Sequence, residues 1–362
     1  MIGHASTPNV DARVAGARTT GLAVERLSDD ELLALFDDSS RGWGATQRVQ
    51  VDGRAVFVKR VPVTALERAR AFSTANLYGI PPYLNYPFGS PGTGVGRELS
   101  FALTTTRWVE ARVCTAFPIL LHHRLVERTD RSAPGGDAFA AYTAYRGDDP
   151  AMNRYLAERA GAQWDLVLCY EHIPHNAVDW LTTHPGDVSW IVEDVRATIA
   201  FLRDQGVVHF DVDLFNVLTD GDHAYLADYG LVLDSAFDLT DEERSFLDRN
   251  RHFDDGNLIL SVGHQLYWNY RATPDGVRQR IDAELALGGL TFEASVCRLL
   301  DGIDVLERCG LLATDPRLRE LLTTYRPVID YMHEFFTAGR ANWSPDTTID
   351  DDVLAHLLDQ AN

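Results

Sequence analysis

A two-part α+β protein is what this sequence predicts, and three observations predict it. The first half carries short alternating apolar runs separated by turn residues, whereas after about Asn176 the apolar positions recur at helical spacing. The 362 residues suffice for one large domain or two lobes with a buried core. Composition is that of a soluble globular enzyme, 45% hydrophobic and 24% charged. A small antiparallel sheet region followed by a larger, mostly helical region is therefore expected.

The elements follow in order. Residues 1–24 are rich in Ala, Gly and Thr, lack the apolar core of a signal peptide, and read as a flexible lead-in. Residues 27–36 have apolar positions at helical spacing behind acidic residues, so a short helix is expected. Residues 48–60 alternate on either side of Asp52-Gly53, the pattern of a β-hairpin. The Gly- and Pro-rich stretch 78–96 predicts a long loop, 97–112 a helix and 117–122 a strand. Residues 129–150 are polar and broken by Gly and Pro, as in an exposed insertion, and 165–170 form an apolar run suited to a buried strand. Residues 188–205 are strongly amphipathic, with Asp187 placed to cap the helix and Gly206 to end it. The expected organisation is 1–24 flexible, 25–173 sheet-bearing and 174–362 helical.

Charge narrows the class. The net charge of −20 opposes a nucleic-acid or anionic-membrane surface, because phosphate contacts need clustered Lys and Arg. It suits a cationic partner through long-range attraction. No apolar run is long enough to span a bilayer. Cys114, Cys169, Cys297 and Cys309 form no CxxC pair, which points to a reduced, cytoplasmic protein. His122-His123 and His172-x-x-His175 lack a third metal ligand nearby, and no GxSxG elbow is present.

Two features carry chemistry. Lys59 is the one lysine among 33 basic residues, and it ends the run Val56-Phe57-Val58-Lys59 just after the Asp52-Gly53 turn. A compact ammonium on a flexible stem suits contact with nucleotide phosphates, where the broad arginine fork does not substitute for it. The second feature spans 207–231: His209-x-Asp211, then Asn216, then Asp228-Tyr229-Gly230. Strand-like 217–218 and 225–227 flank a turn at Asp220-Gly221, and such a hairpin would bring Asn216 and Asp228 to one mouth. Acid, amide and second acid together suit oxygen coordination of Mg2+, with one acid left to orient a hydroxyl.

HxDxxxxN followed by DYG resembles the catalytic loop and metal-binding triplet of the protein-kinase-like superfamily. The resemblance covers 42–234 in pieces and implies a bilobal fold, with a small antiparallel-sheet N-lobe and a larger helical C-lobe. It implies transfer of the γ-phosphoryl group of ATP, with Mg2+, to a hydroxyl, most naturally Ser or Thr of a protein or peptide. Under it, Lys59 would hold the α- and β-phosphates and Gly42 and Gly44 would cover them. Tyr170 would be the gatekeeper, with the backbone of Glu171 and Ile173 bonding adenine. Asn216 and Asp228 would hold the metal, and Asp211 would accept the hydroxyl proton. The glutamate that positions Lys59 would be Glu98, which opens the 97–112 helix; Glu67 and Glu110 compete.

Departures from the family pattern shape the expectation. Phe210 stands where the family has the arginine that clamps a phosphorylated loop, so activation by loop phosphorylation is not expected. Asp213 stands where serine/threonine kinases have a lysine, Phe57 replaces a small residue, and no APE follows Leu231. Asp254 or Asp255 could serve as the buried aspartate anchoring the catalytic loop. The alternatives are a small-molecule O-phosphotransferase, of the kind that acts on cationic antibiotics, and a nucleotide-binding pseudokinase or scaffold without catalysis.

Overall fold

The computed structural model describes residues 10–36, 45–86, 90–92, 94–128, 149–311, 316–341 and 343–361. Gly42 and Gly44, and nearly all of the expected insertion at 129–150, lie outside them.

The sheet part is built on a hairpin. Strands β1 (Ala45–Val51) and β2 (Arg54–Val63) pair antiparallel with Val51 opposite Arg54. Asp52 and Gly53 turn the chain with φ of 47° and 75°, the doubly left-handed geometry that matches strand twist and favours glycine at the second position. Strands β3 (Leu120–Glu127) and β4 (Trp164–Glu171) complete an antiparallel sheet of order β1-β2-β4-β3. In this register Lys59 lies opposite Thr46 on one side and Leu168 on the other. One face buries Val56, Val58, Val167 and Cys169 in a small core; the other joins the main core.

Residues 10–24, read as flexible, instead lie in helix α1 (Val10–Glu25). Val10, Ala17 and Val24, seven apart, are buried on one side of it, a pattern too sparse to stand out in an Ala/Gly/Thr background. A Cβ on Gly21 would lie 2.6 Å from the Leu121 carbonyl oxygen, so glycine permits the close approach to β3. The helix expected at 27–36 is shorter, α2 (Asp29–Leu33), started by a capping box in which Ser28 and Glu31 bond each other's backbone. Short helices α3 (Ala65–Ala69) and α4 (Pro82–Asn85) precede α5 (Val95–Glu110), which begins two residues earlier than the periodicity suggests. Helix α6 (Pro150–Ala160) was not anticipated.

The helical part starts at α7 (Ala177–Thr183) and α8 (Val188–Asp204). Asp187 does precede α8 but makes no side-chain cap; its carboxylate accepts the Trp180 indole N–H at 2.8 Å. Gly206, at φ 73°, follows the end of α8 as expected. The minor strands β5 (His175–Asn176), β6 (Val207–Val208), β7 (Val217–Thr219), β8 (Ala224–Leu226) and β9 (Leu233–Asp234) frame the segment between. They form a β5-β7-β8 sheet and a β6-β9 pair. Helix α9 (Asp241–Asp248) leads into α10 (Phe253–Ala272), the central helix, which buries most of its residues. Against it pack α7, α8, α12 (Phe292–Asp301), α15 (Arg326–Ala341) and α16 (Asp351–Gln360), while α11 (Asp275–Leu285) packs on α13 (Ile303–Arg308), and α14 (Pro316–Thr324) on α8 and α15. The expected α+β class, sheet first and helices after, is what the chain adopts. No helix among the described residues is long and apolar enough to cross a membrane.

Candidate functional site

Lys59 joins the two parts. Placed near the middle of β2 by the hairpin register, it is 2.6 Å from Glu98 of α5 and 2.8 Å from Asp228 of the β8–β9 segment. Burial alone would favour loss of its proton, but Asp228 and Glu98 outweigh that and hold the ammonium charged. Of the three glutamates weighed for Lys59, only Glu98 touches it. Glu67 is occupied elsewhere: one oxygen accepts the Thr64 N–H at 2.8 Å and the other accepts the Val95 N–H at 3.0 Å. Glu110 faces solvent beside Arg18.

The segment after α8 places the other groups. Central helix α10 offers a buried polar stripe, Asp254, Asn257 and Ser261, to the backbone of this segment. Asp254 accepts the N–H groups of His209 and Phe210 at 2.7 and 2.8 Å, Asn257 donates to the Val212 carbonyl at 3.2 Å, and Ser261 accepts from Leu214 at 3.3 Å. Of the two aspartates considered for this anchoring, it is Asp254; Asp255 pairs with Arg203. The stripe is readable in sequence as polar residues at i, i+3 and i+7 in an otherwise apolar helix.

Asn216 donates from Nδ2 to both the carbonyl oxygen and Oδ2 of Asp211, at 2.9 and 2.8 Å. Its own backbone carbonyl accepts the Ala227 N–H at 2.9 Å, so the hairpin does seat Asn216 against the segment bearing Asp228. Phe210 and Asp228 both have left-handed backbones, φ 62° and 63°, a conformation non-glycine residues adopt only when their surroundings impose it. Amide bonds from Phe210 and its neighbour His209 to Asp254 act at the first; the Lys59 contact and the Gly230 N–H at 3.2 Å lie at Asp228.

The electrostatics separate the groups. Burial, reinforced by the Asp228 and Asp213 carboxylates, pushes Asp211 up to about 7. Asp228 shifts the other way, because the Lys59 ammonium outweighs its burial. His209 is fully buried and driven down to about 4, so its imidazole is neutral and serves packing rather than proton transfer.

Lys59, Glu98, Asn216 and Asp228 border a cavity of about 470 Å3 whose walls also include Tyr170 and Ile173, and Asp211 is tied to it through Asn216. Tyr170 is buried on β4 opposite Phe57, which narrows that end. The Glu171 N–H is already bonded to the Ile119 carbonyl at 2.9 Å, so of its backbone groups only the carbonyl remains to meet a ligand. The Glu171 carboxylate accepts the Ile119 N–H at 2.7 Å and is held by Arg13 of α1, which also donates to the carbonyls of Thr115 and Phe117. Arg13 escaped the sequence reading because nothing local marks it.

A second cavity, of about 550 Å3, lies among α10, α12 and α15. Phe215 borders both cavities, and Asp213 reaches this one. Its walls are largely aromatic, with Tyr267, Trp268, Phe292 and Phe336. Sequence periodicity gave no hint of it, since its walls come from three helices far apart in the chain.

Among the described residues no three His, Cys, Asp or Glu side chains gather in a way that could hold a metal ion. A metal here would rest on Asp228 and the Asn216 amide oxygen, completed by oxygens of a ligand. That donor set fits a hard, oxygen-seeking ion such as Mg2+, which commonly takes only one or two protein carboxylates alongside phosphates and water. Comparison with protein-family models found no match to this chain, and comparison with curated proteins found none either.

Proposed function

We propose that the protein is an ATP- and Mg2+-dependent phosphotransferase of bilobal, kinase-like build, acting on a hydroxyl group. The observation that carries this reading is the convergence of Lys59, Glu98, Asp228 and Asn216 on one cleft from both parts of the chain, with Asp211 hydrogen-bonded to Asn216. ATP would lie with its adenine toward Tyr170, the Glu171 carbonyl and the Ile173 backbone. Lys59, steadied by Glu98, would meet its phosphates; the proposed phosphate loop at Gly42 and Gly44 lies outside the described residues. Asn216 and Asp228 would hold Mg2+, which supplies charge neutralisation for the transferring phosphoryl group.

Asp211 acts on the acceptor. Asn216 fixes one of its carboxylate oxygens, leaving the other to accept a hydroxyl proton. Its pKa of about 7 makes it a stronger proton acceptor than an ordinary carboxylate while leaving much of it ionised near neutrality. The absence of a second lysine leaves charge on the transferring group to the metal, Lys59 and nearby arginines.

Ser or Thr of a protein or peptide is the acceptor the family resemblance implies. The 550 Å3 cavity beside Asp213 favours a second reading, a compact small-molecule alcohol. A concave pocket of that size with aromatic walls suits a ligand of roughly drug-like dimensions better than an extended chain. Calorimetric titration of ATP, with and without Mg2+, on wild type and Asp228→Asn tests the site. Binding should tighten with Mg2+ and lose that gain in the variant; ATP binding indifferent to metal would leave a nucleotide-binding module without catalysis. Transfer of labelled phosphate from ATP to basic proteins or to small amino alcohols then separates the two acceptor readings.

A further inference from the structure

Lys59 depends on where α5 places Glu98, and the three residues before Glu98 are each fixed by a different contact. Gly94, the N-cap of α5, provides no side chain, and Glu67 supplies the missing acceptor to Val95 N–H at 3.0 Å. Gly96 lies so close to residues 72 and 73 that a Cβ would come within 2.3 Å of the Ser73 carbonyl oxygen. Arg97 is buried, and its guanidinium has partners on three separate segments. It donates to the Thr74 carbonyl at 2.7 Å and to the Tyr86 hydroxyl, and it pairs with Glu243 of α9 at 2.8 Å.

Both ends of the Arg97–Glu243 pair are withdrawn from water, at 3% and 0% side-chain exposure. Such a pair is strongly committed, because separating the partners would leave an uncompensated charge in the interior. Glu243 is itself held rigid: its other oxygen accepts the Thr240 N–H at 3.0 Å in the capping box of α9. The contact also reaches the segment bearing Asp211. The Tyr86 ring packs on Phe210 at 5.1 Å and on Phe246 of α9 at 5.7 Å. Thr74, whose carbonyl holds Arg97, accepts the Asp238 N–H through its hydroxyl at 3.0 Å.

We infer that Arg97 and Glu243 are positioning residues: their buried ion pair fixes the start of α5 so that Glu98 meets Lys59 permanently, without any covalent modification of the 229–240 segment. The inference rests on the phosphotransferase reading only for its catalytic meaning, since the pairing it concerns can be observed without nucleotide. In activity terms, the site is assembled in the unmodified protein, and loosening the pair weakens phosphate engagement by Lys59.

The sole lysine makes the test direct. Protein carrying lysine labelled with 13C at Cε has one lysine resonance, that of Lys59. In phosphatase-treated wild type without nucleotide, this resonance is expected to be single and displaced from the free-lysine position, and Glu98→Gln defines the shift on losing the pair. Glu243→Gln and Arg97→Gln should move it in the same direction as Glu98→Gln. A wild-type resonance at the free-lysine position overturns the inference whatever the variants do. So does an unchanged resonance in a folded Glu243→Gln or Arg97→Gln protein whose melting temperature has fallen, which would make the pair merely structural. A failure of ATP to bind, with the Lys59 response intact, would instead remove the proposed function and leave the positioning role standing.

Discussion

Removing the Asp254 carboxylate should unseat the backbone at His209 and Phe210, and the structure sets the size of the effect. Asp254 is 2% exposed, and its two oxygens take the His209 and Phe210 amides at 2.7 and 2.8 Å. In Asp254→Ala both N–H groups lose their acceptor in a site too enclosed for easy hydration, at about 1–3 kcal/mol each. Phe210 is held at φ 62°, a conformation costing about 1–2 kcal/mol for a residue with a Cβ, and relaxation there returns part of the loss. The net expectation is about 2–4 kcal/mol, a large share of a typical folding stability of about 5–15 kcal/mol. Asp254→Asn keeps one acceptor oxygen, so it should lose roughly half as much. Urea unfolding at pH 8, followed by tryptophan fluorescence and by far-ultraviolet circular dichroism, measures both variants. An unchanged slope with a lowered midpoint reports stability alone. A loss in Asp254→Ala below about 0.5 kcal/mol, or one smaller than in Asp254→Asn, would refute the two-amide account.

Further outcomes follow from the same geometry. Asp211→Asn should abolish phosphoryl transfer while leaving ATP affinity within about threefold, since its proposed role is toward the acceptor; full activity in the variant would remove Asp211 as base. Wild-type transfer should rise with pH through a midpoint near 7, because Asp211 must ionise to accept a proton, and metal at Asp228 should move that midpoint toward acid. The stability sign is opposite: the folded-state pKa of Asp211 is raised, so its contribution is full below about 4 and is lost as pH climbs through about 7. Asp211→Asn should consequently melt higher than wild type at pH 8, with the gap closing toward pH 5. Gly96→Ala must push α5 away from the Ser73 carbonyl, at about 1–3 kcal/mol of overpacking, visible as a lower melting temperature. Arg13→Ala leaves the partly buried Glu171 carboxylate without its cation, at a cost of about 1–3 kcal/mol. Amide exchange of residues 10–25 should accelerate selectively in that variant, and uniform protection would show that Arg13 does not pin α1.

What the sequence determined by itself lies within short stretches of chain. The Asp52-Gly53 turn fixes the hairpin register and so the location of Lys59, because a two-residue turn leaves no freedom to slip. The 211–228 spacing brought Asp211, Asn216 and Asp228 together because a hairpin folds that interval back on itself. Glu98 could be preferred from its place at the head of a helix, but its rivals were dismissed only by the fold, which gives both oxygens of Glu67 to backbone amides. Asp254 and Asp255 are adjacent, and only the direction each takes from α10 decides which holds the loop. The same physics hid Arg13 and Arg97 and concealed the aromatic cavity among α10, α12 and α15. Arg13 meets Glu171 across 158 residues, and Arg97 meets Glu243 from another helix. Local propensity and periodicity are set by neighbours within a turn or two, whereas buried ion pairs and cavity walls join surfaces that approach one another only once the core has packed.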